Sequence, residues 1–460
     1  MKKNRKLILG MVISVMAIAP IAASCGFGGT DTSGSYAKTD AANIRELVKT
    51  KDAEVQAAIE ANTTKKLDIV LLTAGGKVND LSFNQSVWEA ISQHSVQTKN
   101  NTSSYIEPAD DAAVTKSYDE LISGQKNVWV LTGFQHSYLF KNWLLNANGR
   151  NLDALANSNA VVVGVDWILD KLTPEQQEKL KGKIITLNYK TEESGWIAGY
   201  AAADFLAKKY PDASDRAKRG IATFGGHPGK GVTDFITGFL GGIKHFNSEQ
   251  GNNGKKALIT SKPIVTDTNF STQDTSKVTL VQNITTNGNP AIILPVAGPF
   301  TNTVEQSITS RNTDQSIIGV DTDQSMTFSE DKRKLFFTSI EKRIGATIYR
   351  VLTDLFIQKA NSDIISNFNT TKKIEGVKLG YWDGFVSLSP TTKEGNDKEF
   401  ATTSLQEAKN KFESIVPKAQ KDNASALLGI KEMVDVAPEG KTVKEVNEGV
   451  LNALIAEINA

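Results

Sequence analysis

The sequence predicts an α/β protein built as two doubly wound lobes, each a parallel sheet with helices on both faces. Two observations carry this. Short apolar runs at 67–73, 128–131, 160–165, 183–187, 220–224, 291–294 and 316–320 have the length and composition of strands buried on both faces. Helix-length amphipathic segments separate most of them, the alternation from which parallel sheets are made. Seven such strands in 460 residues are enough for two cores.

The chain opens with Lys2, Lys3, Arg5 and Lys6, and residues 7–23 are apolar apart from Ser14. That is the basic and apolar pattern of a secretory signal, assigned to residues 1–24. Cys25, the only cysteine, follows Ala22-Ala23-Ser24, so a thiol stands at the first mature position. The pattern resembles the bacterial lipobox, with Ala22 in place of the usual leucine, and implies a diacylated cysteine at the outer face of the cell membrane. An uncleaved anchor with an incidental cysteine is the alternative. Residues 25–45 are rich in Gly, Ser, Thr, Asp and Ala and read as a flexible tether.

After Cys25 no apolar run approaches the ~20 residues of a membrane span. The net charge of +1, with acids and bases interspersed, argues against nucleic acid as a partner. A single cysteine excludes disulfides and thiolate metal sites.

Residues 49–66 read as a helical lead-in to the first strand. The ligand-binding region is assigned to 46–403, with one lobe mainly in 66–188, the other mainly in 189–320, and later crossovers between them. Polar stretches at 247–262 and 267–277 read as a long surface connection around a strand near Ile264. From residue 404 helical periodicity returns in Leu405, Ala408, Phe412 and Ile415, then in Val443, Val446, Val450, Leu454 and Ile455. This extension, 404–460, is expected to pack on the second lobe.

Ligands of open α/β sheets bind beyond the carboxyl ends of the strands. The loops there share a chemical theme: Asn79-Asp80-Leu81-Ser82-Phe83-Asn84-Gln85, Gly133-Phe134, Asp166-Trp167, Gly225-Gly226, Pro295-Val296-Ala297-Gly298 and Asp321-Thr322-Asp323-Gln324. Taken singly, an Asp after a strand is most often a helix cap, and a Phe at a helix start is most often a core plug. Catalytic motifs are not found. Residues 225–231 look like a phosphate loop but have glycines one residue too close and Gly231 after Lys230, and the four histidines lack metal-binding spacing.

The segment 79–88 resembles the Asp-Lys-Ser-Phe-Asn-Gln signature of the basic membrane protein family, also called PnrA-like or Med, lipoprotein substrate-binding proteins of nucleoside ABC transporters. Glu193-Ser194-Gly195-Trp196, Leu294-Pro295-Val296-Ala297-Gly298, Gly319-Val320-Asp321-Thr322-Asp323-Gln324 and Ser339-Ile340-Glu341-Lys342 follow in the family's order. The resemblance spans roughly 67–388.

It implies a two-lobed type I periplasmic-binding-protein fold, monomeric, without cofactor or metal, closing on a purine nucleoside and serving a permease with a cytoplasmic ATPase. Phe83 is then the stacking candidate for the base, with the second face from Phe235 or Phe300, Phe235 being preferred. Asp321 is the candidate acceptor for the ribose diol, and Lys342 is expected to face the sugar, donating to a hydroxyl and partly neutralising Asp321, an ion pair between the two being the structural alternative. Asn79, Asp80 and Asn84 are candidates for ribose and base edge, and Asp166 for an exocyclic amine or ring N–H. Gly298 is expected to let the backbone approach the ligand. The rival functions are a sugar receptor of the same fold, a surface adhesin and a nucleoside-processing hydrolase.

Overall fold

A computed structural model describes residues 41–460 apart from 81, 100–101, 125, 253, 367 and 372–374. The signal sequence, Cys25 and the tether up to residue 40 lie outside the described residues.

The apolar runs become strands β1 (Ile69–Thr73), β3 (Val128–Thr132), β4 (Val161–Val165), β5 (Ile184–Tyr189), β6 (Gly220–Gly225), β8 (Ile292–Val296) and β9 (Ser316–Asp321). Five more complete the sheets: β2 (Ser104–Ile106), β7 (Leu258–Ile259), β10 (Phe336–Lys342), β11 (Glu375–Leu379) and β12 (Val386–Leu388). The first sheet has the order β11-β5-β4-β3-β1-β2 and the second β12-β10-β9-β8-β6-β7. Every neighbouring pair is parallel except β10 and β12. The two sheets therefore repeat one winding pattern.

Alternating side chains feed cores on opposite faces of each sheet. In β1, Ile69 and Leu71 enter one cluster while Val70 and Leu72 enter the other. In the second sheet Ile292 and Leu294 face one cluster and Ile293 the other. Covering both faces explains why these strands are apolar throughout.

The chain passes between sheets three times. It leaves β5 through the helix Thr191–Lys209, returns from β10 through the helix Ile344–Phe356 to β11, and crosses again from β11 to β12. The first of these helices packs tightly on Lys230–Ser248 in the second lobe. A Cβ on Gly199 would lie 1.9 Å from the Phe239 carbonyl oxygen, and one on Gly242 would lie 2.0 Å from that of Trp196. Only glycine permits this approach.

Three expectations are corrected. The lead-in helix spans Ala41–Glu60, so residues 41–45 form its first turn instead of tether, and Ile44 and Val55 are buried in the first lobe's core. The strand expected near Ile264 is instead Leu258–Ile259. The polar stretch after it runs partly through the interior, because Thr266 and Thr268 are buried and residues 265–268 exchange hydrogen bonds with Gly225 (Gly225 N to Val265 O, 2.8 Å; Thr268 N to Gly225 O, 3.1 Å). The C-terminal helices Gly395–Ile415 and Val443–Asn459 pack on the second lobe, contributing Leu405, Ala408, Phe412, Leu451, Leu454 and Ile455 to its core.

Candidate functional site

The carboxyl ends of the strands in both sheets meet around one cavity, at the level where ligands of open α/β sheets bind. The first lobe supplies Gly75, Gly76, Asp80, Ser82, Phe83, Asn84, Phe134 and Asp166. The second supplies Phe235, Phe270, Gly298, Asp321 and Lys342. Eight of the nine residues expected at a ligand thus line one space; the exception is Asn79, which is exposed and outside it.

Asp80 opens the helix Phe83–Gln97. Its Oδ1 accepts from the backbone N–H of Ser82 (2.9 Å) and Gln85 (3.1 Å), and its Oδ2 from Asn84 N (3.0 Å) and Asn84 Nδ2 (3.0 Å). It caps the helix in place of Ser82, whose side chain makes no capping bond. Burial pushes its carboxyl up to about 6; the three backbone N–H groups pull the other way, and nearby Asp321 adds to the rise. Asn84 also works inward: its amide group donates to Gly75 O at 3.0 Å and to Asp80, and its Oδ1 accepts from Thr132 Oγ1 at 2.8 Å. Asp80 and Asn84 wall the cavity, but these bonds hold loop and helix together and leave little capacity for a ligand.

Asp166, directly after β4, and Asp321, the last residue of β9, both have left-handed backbone, with φ of +69° and +67°. Asp tolerates this region better than most residues. Lys342, the last residue of β10, is buried with its Nζ 2.7 Å from Asp166 Oδ2 and 3.5 Å from Asp321 Oδ1. The expected pairing of Lys342 with Asp321 is present, but the shorter contact is to Asp166 in the other lobe. Burial pulls the Lys342 ammonium down, and the two carboxylates more than offset this, so the net shift is upward. Burial raises the Asp321 carboxyl, Lys342 opposes the rise and Asp166 reinforces it. Ser82 Oγ donates to Asp321 Oδ2 at 3.4 Å, a second polar contact between lobes.

The ammonium also sits 4.9 Å from the centroid of the Phe235 ring and 5.5 Å from that of Phe83, so both rings surround the charged group. Phe300, the other candidate for the second aromatic face, is buried in the far core of the second lobe and does not line the cavity. At Gly298 a Cβ would come within 3.3 Å of Ser82 Oγ, so the glycine permits close approach of the two lobes.

Ser82 and Phe134 stand in strand-end loops that the sequence singles out, but neither is given a ligand role there; Phe270, which lines the cavity, and His227, which does not, are not singled out for the site. Phe134 follows β3 directly and its ring lies 4.1 Å, centroid to centroid, from that of His227 in the second lobe. Its place at a strand end was a usable signal. Phe270 lies in a polar stretch and gave none. Trp382 serves packing, donating from Nε1 to Val416 O at 2.9 Å.

Among the described residues no arginine lines the cavity, no cluster of His, Cys, Asp and Glu suited to a metal is found, and no helix is long and apolar enough to cross a membrane.

The family model for PnrA-like ABC transporter substrate-binding proteins matches residues 67–379. Curated protein sequences give no match. Among solved structures, an ABC transporter solute-binding protein from Aeropyrum pernix K1 is 16% identical with a TM-score of 0.55, covering 86% of this chain and 99% of its own. A transcriptional activator of the comK gene from Bacillus halodurans is 13% identical with a TM-score of 0.48, covering 74% and 96%. An ABC transporter periplasmic solute-binding protein from Actinobacillus succinogenes 130z with bound D-allose is 13% identical with a TM-score of 0.47, covering 74% and 100%. The Aeropyrum protein shares the fold, and the match over 67–379 goes further: this chain belongs to the PnrA-like family of ABC transporter substrate-binding proteins.

Proposed function

We propose that the protein is a lipid-anchored, extracytoplasmic receptor that captures a purine nucleoside between its lobes and delivers it to an ABC permease driven by a cytoplasmic ATPase. The observation that carries this reading is the grouping of Phe83, Phe235, Asp166, Asp321 and Lys342 around one cavity. A nucleoside needs aromatic faces for a planar base, and a carboxylate can accept from both hydroxyls of a ribose diol. Asp321 is our candidate for that diol, with Asp166 for a base N–H and Lys342 sharing its charge between them. The signal pattern ending at Cys25 supports lipid anchoring.

A sugar receptor is less favoured because sugar sites tend to place arginines at the hydroxyls, and none lines this cavity among the described residues. Binding without turnover is favoured over hydrolysis. Ser82 is the only hydroxyl among the described lining residues, and it meets Asp321 with no imidazole between them.

The test is a melting-temperature screen of the purified protein with nucleosides, free bases and pentoses, joined to mass spectrometry of co-purifying small molecules. A rise with nucleosides alone is expected. Asp321→Ala should weaken ribosides on the order of a hundredfold, the scale of a lost charged hydrogen-bonding group, while free bases lose little. Equal losses would remove Asp321 from the ribose role.

A further inference from the structure

The family match ends at residue 379, yet residues beyond it hold loops that border the cavity. The loop from Gly226 to Gly231 leads from β6 into the helix Lys230–Ser248 and carries His227 to its contact with Phe134 across the lobes. That helix begins at Gly229, which has no side chain with which to cap it. Asp435, from the C-terminal extension, does so instead: its Oδ1 accepts from Lys230 N at 2.8 Å. Asn447, fully buried on Val443–Asn459, donates from Nδ2 to Pro228 O at 2.7 Å and to Val434 O at 2.8 Å, and its Oδ1 accepts from Val434 N at 3.0 Å. It thereby ties the loop to the segment that holds Asp435.

On the same helix the next residue, Glu448, accepts through Oε1 from Thr266 N at 2.9 Å and Thr266 Oγ1 at 2.8 Å, and Lys444, three residues before Asn447, pairs with Asp267 at 2.8 Å. These bonds fix the segment leading to Phe270, whose ring packs against Gly226 and lines the cavity. Two rim loops, one bearing His227 and the other Phe270, are held by side chains that lie outside the cavity.

We propose that the C-terminal extension positions the second lobe's cavity rim, so that Asp435 and Asn447, touching no ligand, set how firmly the lobes stay closed. The proposal rests on the reading of the cavity as a site that closes on its ligand. The loop 226–231 is stiffened from behind by a long-range cap and a buried amide, and the interlobe His227–Phe134 contact inherits that stiffness.

The experiment uses the full chain with Asp435→Ala, Asn447→Ala and the conservative Asp435→Asn, which keeps the accepting oxygen. Amide hydrogen exchange is followed at 226–231 and, across the cavity, at 133–137, and the dissociation rate is measured with guanosine as probe. The alanine variants should speed exchange at both segments and raise the guanosine dissociation rate about tenfold, the scale of a lost helix cap. Asp435→Asn should stay near wild type. Faster exchange at 226–231 alone with an unchanged dissociation rate, or equal damage from Asp435→Asn and Asp435→Ala, would overturn the proposal. Should Asn447→Ala fail to fold, the Asp435 pair decides. Failure of the wild type to bind guanosine would count against the ligand assignment alone, since the exchange comparison needs no ligand.

Discussion

Replacing Lys342 by Met keeps the aliphatic stem and deletes the charge that joins the lobes. The wild-type ammonium lies 2.7 Å from one carboxylate and 3.5 Å from the other. At an effective dielectric constant of about 20 these attractions are ~6 and ~5 kcal/mol. Desolvating the three charged groups takes back several kcal/mol per ion, so the pair's net worth is small even though breaking it is not. Removing one partner of a buried pair typically costs about 3–5 kcal/mol, because the remaining charge has nowhere to go. Lys342→Met should therefore lose about that much stability at pH 7.5 in urea titrations. The loss should shrink on acidification: Asp321 already has a raised pKa from burial, and without the ammonium it rises further. An acid whose folded pKa is raised destabilises at pH values above it and is relieved as pH falls. Adding Asp166→Asn or Asp321→Asn to the Met variant should restore much of the loss at neutral pH. A loss below about 1 kcal/mol, the range of exposed ion pairs, or no rescue by either Asn change, would refute the buried triad and mean that the lobes do not close on it.

Two further outcomes follow from packing and burial. Gly199→Ala should destabilise by about 1–3 kcal/mol through overpacking, although alanine favours helix, whereas Gly449→Ala, which meets open space in the C-terminal helix, should stabilise slightly; urea titration compares them. Burial pushes Glu193 up to about 7 against the opposing Tyr381 N–H and Lys190, while Glu192 and Asp383 add to the rise. The native state then holds a proton that the unfolded chain has lost, so this group's contribution to stability falls as pH rises from its ordinary value near 4.5 through about 7. Glu193→Gln keeps an acceptor for Tyr381 N–H, which donates at 2.7 Å, and should flatten the pH dependence between pH 5 and 8 by at most about 3 kcal/mol.

Seven of the eight interior strands were legible because burial on both faces favours apolar runs, and those runs are visible without a partner; the eighth, β10, is interrupted by Thr338, Ser339 and Glu341 and gave no such run. β2, β7 and β12 were not legible either, because two or three residues at a sheet edge carry no such demand. At the site, the level at which ligand groups stand could be read from strand ends, and Asp166, Asp321 and Lys342 do converge. Their pairing could not: the Lys342 contact joins residues 176 positions apart in different sheets. Asp80 and Asn84 show a different limit. Capping a helix and accepting from a ligand use the same oxygens, so residue type alone does not say which task consumes them. Phe270 shows the reverse, a cavity residue hidden in a stretch whose composition is that of solvent-facing loop.

The two sheets wind in the same order, and this makes β4 the counterpart of β9 and β5 the counterpart of β10. Asp166 and Asp321 are thus one position occupied twice, with φ values that agree within a few degrees. The two lobes present the same kind of carboxylate to the cavity from opposite sides. The strands alongside differ, since β10 ends in Lys342 where β5 ends in Tyr189. Lys342 is thus one of several differences between the two walls of the cavity, together with Asp80 and Phe83 on the first lobe and Gly298 and Phe270 on the second.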